Sequence, residues 1–376
     1  MATCPRGLEE VVCAELAALG HSEATSGRGT VSFRGGLDAV YAANLWLRSA
    51  VRVLRQLAEG AVDGRESLYE LAREIRWEDV VTRGQTIVAE VAGRAAAFRN
   101  TGFAALTVKD AVVDRLRLRW GFRPDVAKEG ADVRIHVHLA DDRTSLALDS
   151  SGEPLSHRGY RPRGGPAPLS ESLAAGVLSL AGYDGDRPLL DPMAGTGTIA
   201  IEAALIATHS APGLGRAFAC ERWPEHRPQL LAAAREAARR RRRQAPAAIV
   251  ASDVDPRAVR ATSRNASEAG VAEAIRVEVR DVRSLVVQDA DTLIVTNPPY
   301  GKRLGDSAAL TQLYRDLGSV LKKRGAGATA WLLVGNPELG KAIGLRASRR
   351  IVLFNGPIEC RLLRFDLYEG SRVAGG

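Results

Sequence analysis

Four short apolar runs in the second half of this 376-residue chain each end in a polar turn: Pro188–Leu190 at Asp191, Ala248–Ala251 at Ser252-Asp253-Val254-Asp255, Ile275–Val279 at Arg280-Asp281-Val282, and Asp291–Thr296 at Asn297-Pro298-Pro299-Tyr300. The first two lead into helical patterns, Ile199–Ala207 and Arg257–Gly270. Strands that alternate with helices do not close as hairpins; they lie parallel, with the helices packed on the sheet faces. An α/β architecture follows. The loops at the carboxyl ends of its strands gather on one edge, where such sheets take their ligands.

Those turns carry the chemistry. Asp191-Pro192-Met193-Ala194-Gly195-Thr196-Gly197-Thr198 reads as a strand end, a Gly-rich turn and a helix start. The two glycines let the backbone approach a ligand closely, and the free N–H groups of the helix start favour a carboxylate or phosphate. No Gly-Lys-Ser/Thr follows, so this is not a Walker loop, and the third glycine of the dinucleotide fingerprint is missing. Asp253, at the tip of the second strand, is placed to accept both hydroxyls of a ribose. Asp281 can accept from an adenine amino group. Each acid alone also reads as a helix cap or a solvated loop residue. It is their order along the chain that argues for a site.

Asn297-Pro298-Pro299-Tyr300 suits chemistry on an exocyclic amine. The lone pair of such a nitrogen is delocalised into its ring, so the group must be held. The Asn297 side-chain carbonyl and the Pro298 backbone carbonyl can accept its two N–H bonds while the Tyr300 ring stacks on the base. That use of Tyr300 needs the ring and not the hydroxyl. Two prolines fix φ and remove two donors, which stiffens the loop and presents carbonyls outward. A Pro-Pro turn closing a buried strand is the plainer alternative.

The ordered series Asp191-Pro-Met-Ala-Gly-Thr-Gly-Thr, Ser252-Asp-Val-Asp, Arg280-Asp-Val and Asn297-Pro-Pro-Tyr resembles the class I S-adenosylmethionine-dependent methyltransferases that act on amino nitrogens. Four further segments narrow the likeness to the THUMP-containing bacterial 23S rRNA guanine-N2 methyltransferases: Cys4-Pro-Arg-Gly-Leu-Glu-Glu10, Phe98-Arg-Asn100 with Lys109-Asp-Ala-Val-Val-Asp114, Ser151-Gly-Glu-Pro-Leu-Ser-His-Arg-Gly-Tyr-Arg161, and Asn355-Gly-Pro-Ile-Glu-Cys360. The resemblance implies a Rossmann-like, seven-stranded methyltransferase domain over 168–376. A ferredoxin-like α+β region (1–62), a THUMP RNA-binding domain (63–150) and a linker (151–167) would precede it.

The same resemblance implies methyl transfer to guanine N2 of 23S rRNA, with Asn297, Pro298 and Tyr300 at the reacting base. S-adenosylmethionine would meet Asp191, Met193, Ala194, Gly195, Thr196, Gly197 and Thr198 through its methionine portion, and Asp253 through its ribose. Val254, Asp281 and Val282 would lie at its adenine, with Asn297 bordering it. RNA contacts are expected at Arg99, Asn100, Lys109, Arg158, Arg161 and Arg163. In many members a second methyltransferase domain follows and makes a 7-methylguanine; no second Gly-rich motif precedes Gly376, so one activity is expected. A tRNA guanine-N2 methyltransferase, a DNA adenine-N6 methyltransferase and a non-catalytic RNA-binding assembly factor stay open as alternatives.

Charge agrees with a polyanionic partner: 52 Lys and Arg against 44 acids leave +8. Cys4, Cys13, Cys220 and Cys360 show no Cys-x-x-Cys spacing, and His136 and His138 share a strand face without completing a ligand set, so no metal and no disulfide is expected. The absence of an 18-residue apolar run and of a signal-peptide start leads to a cytoplasmic protein with no membrane contact. A monomer is expected.

The first half reads as helices Gly7–Leu19, Leu37–Leu45, Ser67–Ile75 and Ala105–Trp120 with strands Arg28–Arg34, Thr86–Val91, Val133–Leu139 and Thr144–Asp149. In the second half, Arg239–Arg243 close a helix from Gln229, and five adjacent cations call for an anion or for solvent.

Overall fold

The computed structural model describes residues 1–141, 143–162, 169–300 and 307–368, apart from the Ser307 side chain. Arg163 lies outside these residues. Leu-Ile-Val-Thr of β11 (Leu293–Thr296) is buried throughout, as a strand covered on both faces must be. It pairs in parallel with β8 (Leu189–Asp191) and with β12 (Thr329–Val334). Beyond β8 the sheet continues, still parallel, through β9 (Ile249–Asp253) to β10 (Ile275–Val279). On the other side the antiparallel pair β13 (Arg349–Asn355) and β14 (Ile358–Asp366) completes the order β10-β9-β8-β11-β12-β14-β13. The chain leaves β8 in one direction and returns at β11 to build the other, so a crevice opens at the carboxyl ends of these two strands.

Two helices shape that crevice. After β8 comes α6 (Thr198–Ala207), apolar on nearly every side and buried along almost its whole length. After β9 comes α8 (Pro256–Glu268), started by Pro256 at its first turn and capped by Asp255, whose carboxylate accepts from the Arg257 N–H.

The first half contains a strand that its pattern hides. β4 (Arg52–Gly60) was not anticipated, because a bulge between Gln56 and Ala58 breaks the period of two. β4 pairs with β1 (Ala2–Thr3) on one side and with β7 (Thr144–Asp149) on the other. One sheet, in the order β2 (Thr25–Gly27), β3 (Thr30–Ser32), β1, β4, β7, β6 (Val133–Leu139), β5 (Ile87–Gly93), therefore runs through both units of this half. The expected strand over 28–34 is instead the hairpin β2 (Thr25–Gly27) and β3 (Thr30–Ser32), turned at Gly29, where φ is +71°. β5 (Ile87–Gly93) and β6 (Val133–Leu139) complete the sheet, and α4 (Thr101–Trp120) starts a turn earlier than expected because Asn100 caps it.

The halves are tied together. Leu8 is fully buried in the core of the second sheet, Ser172 Oγ donates to the Ala50 carbonyl (2.7 Å), and the Gly213 N–H donates to the Leu45 carbonyl (3.0 Å).

Candidate active site

Asp191 ends β8 fully buried, and its Oδ1 accepts from the Thr296 hydroxyl across the crevice (2.8 Å) and from the Met193 N–H (3.3 Å). Burial pushes its carboxyl up to about 7; the Thr296 and Met193 hydrogen bonds oppose that shift and the nearby Asp253 adds to it. A carboxyl raised in this way stabilises the fold fully below its unfolded pKa, and that contribution is lost as pH rises toward 7. Asp191→Asn keeps an acceptor in place but cannot ionise. The variant should melt close to wild type near pH 4 and above it at pH 8, with a gap of about 4 kcal/mol for a shift of this size. Thermal melts of both proteins across that range check it; parallel curves would refute the burial cost of the ionised form.

The turn after Asp191 is held from behind. Gly195 and Gly197 adopt φ of +56° and +85°, and a Cβ at Gly197 would stand 2.6 Å from Thr262 Cγ2. Thr262 Oγ1 donates to the Gly195 carbonyl (3.0 Å) and Asn265 Nδ2 to the Thr196 carbonyl (2.9 Å), so two side chains one turn apart on α8 grip the loop. Among the described residues, nothing lies within 4 Å of where a Cβ at Gly195 would stand. Asp253 accepts the Gly195 N–H on Oδ2 and the Asp255 N–H on Oδ1, both at 2.9 Å. The Ala194 N–H reaches the Ser252 carbonyl (2.9 Å). Val254 is 63% exposed beside this acid, while Val282 is buried. Asp281 accepts from the Arg283 N–H and pairs with its guanidinium, the capping use foreseen as its alternative.

Beyond β11, Asn297 Oδ1 is buried and, among the described residues, has no hydrogen-bond partner. Such an atom is costly unless a donor arrives. Pro298 is buried, and the buried Tyr314 donates its hydroxyl to the Pro299 carbonyl (3.3 Å), fixing the loop from below. The ring of Tyr300 lies over Gly335, where a Cβ would come within 2.2 Å of its Cδ2. Thr296, Thr262, Asn265 and Gly335 were missed. The polar pair at i, i+3 on a helix was the readable signal; Gly335 gave none, because only the approach of Tyr300 demands it.

Several basic residues expected at RNA are used otherwise. The Arg158 side chain is only 3% exposed and is committed to the Glu202 carboxylate and to the Leu155 and Arg48 carbonyls. Arg161 forks onto Glu171 and reaches the Leu169 carbonyl and the Thr198 hydroxyl. Both spend their donors inside the protein, a correction to the phosphate-facing role: Arg158 joins the halves through Arg48 and Glu202, and Arg161 ties the linker to the helices that begin at Glu171 and Thr198. Asn100 spends its side-chain oxygen on the α4 cap, and Lys109 pairs with Asp110. Arg99 is exposed, near Arg65 and Phe103. All five cations of the Arg239–Arg243 run have partners within the chain: Glu236 for the first two, the Trp46 ring for Arg241, the Gly270 carbonyl for Arg242 and Asp186 for Arg243.

Comparison with known proteins follows the same division. A family model described as the RMKL-like methyltransferase domain matches residues 158–364, the RlmL ferredoxin-like domain matches 1–54 and the THUMP domain matches 65–149. The protein named ribosomal RNA large subunit methyltransferase K/L of Syntrophotalea carbinolica is 42% identical over 98% of this chain and 53% of its own length. The chain thus spans about half the length of the curated relatives it matches. Among solved structures, the putative methyltransferase SMU.472 complexed with SAH superimposes with a TM-score of 0.87 at 28% identity, over 99% of this chain and 98% of that one. A predicted N6-adenine-specific DNA methylase from Listeria monocytogenes gives 0.88 at 31%, over 98% and 95%.

Proposed function

Because the chain belongs to the RMKL-like methyltransferase family, we propose that it transfers a methyl group from S-adenosylmethionine to the exocyclic N2 of a guanine in 23S ribosomal RNA. The observation that carries this reading is Asn297 Oδ1 at the end of β11, buried with no partner among the described residues, beside the Gly-rich turn of β8. Guanine N2 offers two N–H donors. Asn297 Oδ1 and the Pro298 carbonyl accept them, which draws the nitrogen toward tetrahedral geometry, and Tyr300 holds the base by its face. The base must leave its stack to reach them.

The residues around the crevice suit the methyl donor. The Gly-rich turn and the N-terminus of α6 suit its carboxylate, Asp253 its ribose hydroxyls, and Val254, Asp281 and Val282 its adenine. When bound, S-adenosylmethionine supplies an electrophilic methyl on a sulfonium. The chain's part is to align the nucleophile and exclude water, and such positioning can account for much of a barrier. No strong general base is required, since the methylated nitrogen is acidic enough to lose its proton to a carbonyl or to water.

The test is nucleoside analysis after incubating the protein with S-adenosylmethionine and unmodified 23S rRNA, tRNA or DNA. N2-methylguanosine in 23S rRNA is expected, and N6-methyladenosine would overturn the reading. RNA affinity should also fall steeply with salt, because released counterions drive it. A protein meeting about six phosphates should lose about a thousandfold between roughly 50 and 200 mM salt. Filter binding across that range checks it, and a flat profile would contradict recognition of the RNA backbone.

A further inference from the structure

The opening Cys4-Pro-Arg-Gly7 and the closing Asn355-Gly-Pro-Ile-Glu-Cys360 have no part in the chemistry above, yet the fold brings the second to Tyr300 and packs the first against the strand that leads into it. The Tyr300 phenol oxygen accepts from Asn355 Nδ2 at 3.1 Å, and Cys360 Sγ lies 3.7 Å from the same oxygen. Asn355 is the last residue of β13 and pairs with Ile358 across the turn into β14. The strand that carries it is braced by the start of the chain. Arg6 stacks its guanidinium 4.5 Å from the Phe354 ring centre, and Gly7 fits so tightly that a Cβ would stand 2.6 Å from the Val352 carbonyl oxygen. With Gly335 against its Cδ2–Cε2 side, the Tyr300 ring is therefore held along one side and at its hydroxyl.

Burial also holds the Tyr300 hydroxyl above the usual phenol range, so it stays neutral as a hydrogen-bond partner. A stacking ring free to rotate must be ordered when the base arrives, and a tethered ring is ordered beforehand. Resting on the reading that Tyr300 stacks on the target base, we propose that Asn355 is a positioning residue that anchors the far end of the Tyr300 ring for base capture. On this role the hydroxyl contributes beside the ring, because Asn355 holds it.

The test is a double-mutant cycle with Tyr300→Phe, Asn355→Ala and the pair, read by single-turnover methyl transfer to unmodified 23S rRNA and by thermal melts without RNA. Each single variant should lose about tenfold in the single-turnover rate at limiting RNA, mostly through weaker RNA binding and little at saturating RNA, and the double variant no more than either, as coupled residues require. Cofactor affinity should stay at the wild-type value in all three. Asn355→Asp should recover most of the loss, since the phenol O–H can donate to a carboxylate. Losses that multiply to about a hundredfold in the double variant would overturn the role, and additive melting shifts would overturn the contact itself. Coupled melts across the cycle together with a wild-type protein that methylates no RNA would instead overturn the functional reading, and this role with it.

Discussion

Asn297→Ala should nearly abolish methyl transfer while leaving cofactor affinity close to that of wild type. The Asn297 carbonyl is buried with no partner among the described residues, so truncation costs the free protein little and removes an unmet acceptor. The loss falls on the reacting complex, where one of the two amine acceptors disappears. Removing a single preorganised hydrogen-bonding group from a reacting centre costs about 10² to 10³ in rate. Asn297→Asp keeps the acceptor and should be less damaging than Ala, although its charge is unfavourable beside a desolvated base. Single-turnover transfer to unmodified rRNA, paired with calorimetric titration of S-adenosylmethionine, separates the two effects. An active Asn297→Ala enzyme would remove this residue from the mechanism.

Asp253→Ala should have the largest effect on cofactor binding. The carboxylate already accepts two backbone N–H groups, Gly195 on one oxygen and Asp255 on the other, and an ionised carboxylate has lone pairs left for a ribose. Truncation therefore removes the ribose acceptors and also frees the Gly-rich turn from its tie to β9. Unmet buried donors cost about 1 to 3 kcal/mol each, so two of them correspond to an affinity loss of at least about thirtyfold. Titration of S-adenosylmethionine and of S-adenosylhomocysteine into both proteins measures it. Equal affinities would remove Asp253 from the site, whatever happens to turnover.

The parts of the site that were readable beforehand share one property: they are local. A strand end, a Gly-rich turn and an Asn-Pro-Pro-Tyr loop each carry their geometry in a few consecutive residues. The α/β order that follows from them brings Asp191 and Asn297 to adjacent parallel strands, where Thr296 bridges to Asp191. β4 escaped because its bulge erases the alternation on which strands are recognised, and its two neighbours come from opposite ends of the first half of the chain.

The sequence by itself determined the α/β order, the turns at the strand ends and the acceptor chemistry, because short-range backbone preference and side-chain type decide those. Only the tertiary structure decided what the arginines do and what holds Tyr300. A guanidinium pairs as readily with a phosphate as with a buried carboxylate, and nothing near Arg158 in sequence announces Glu202 on α6. Likewise Asn355 and Cys360 reach the Tyr300 hydroxyl from 55 and 60 residues away, across a sheet order set by packing. Contacts of that range depend on which apolar faces the whole chain buries together, and no local pattern encodes that choice.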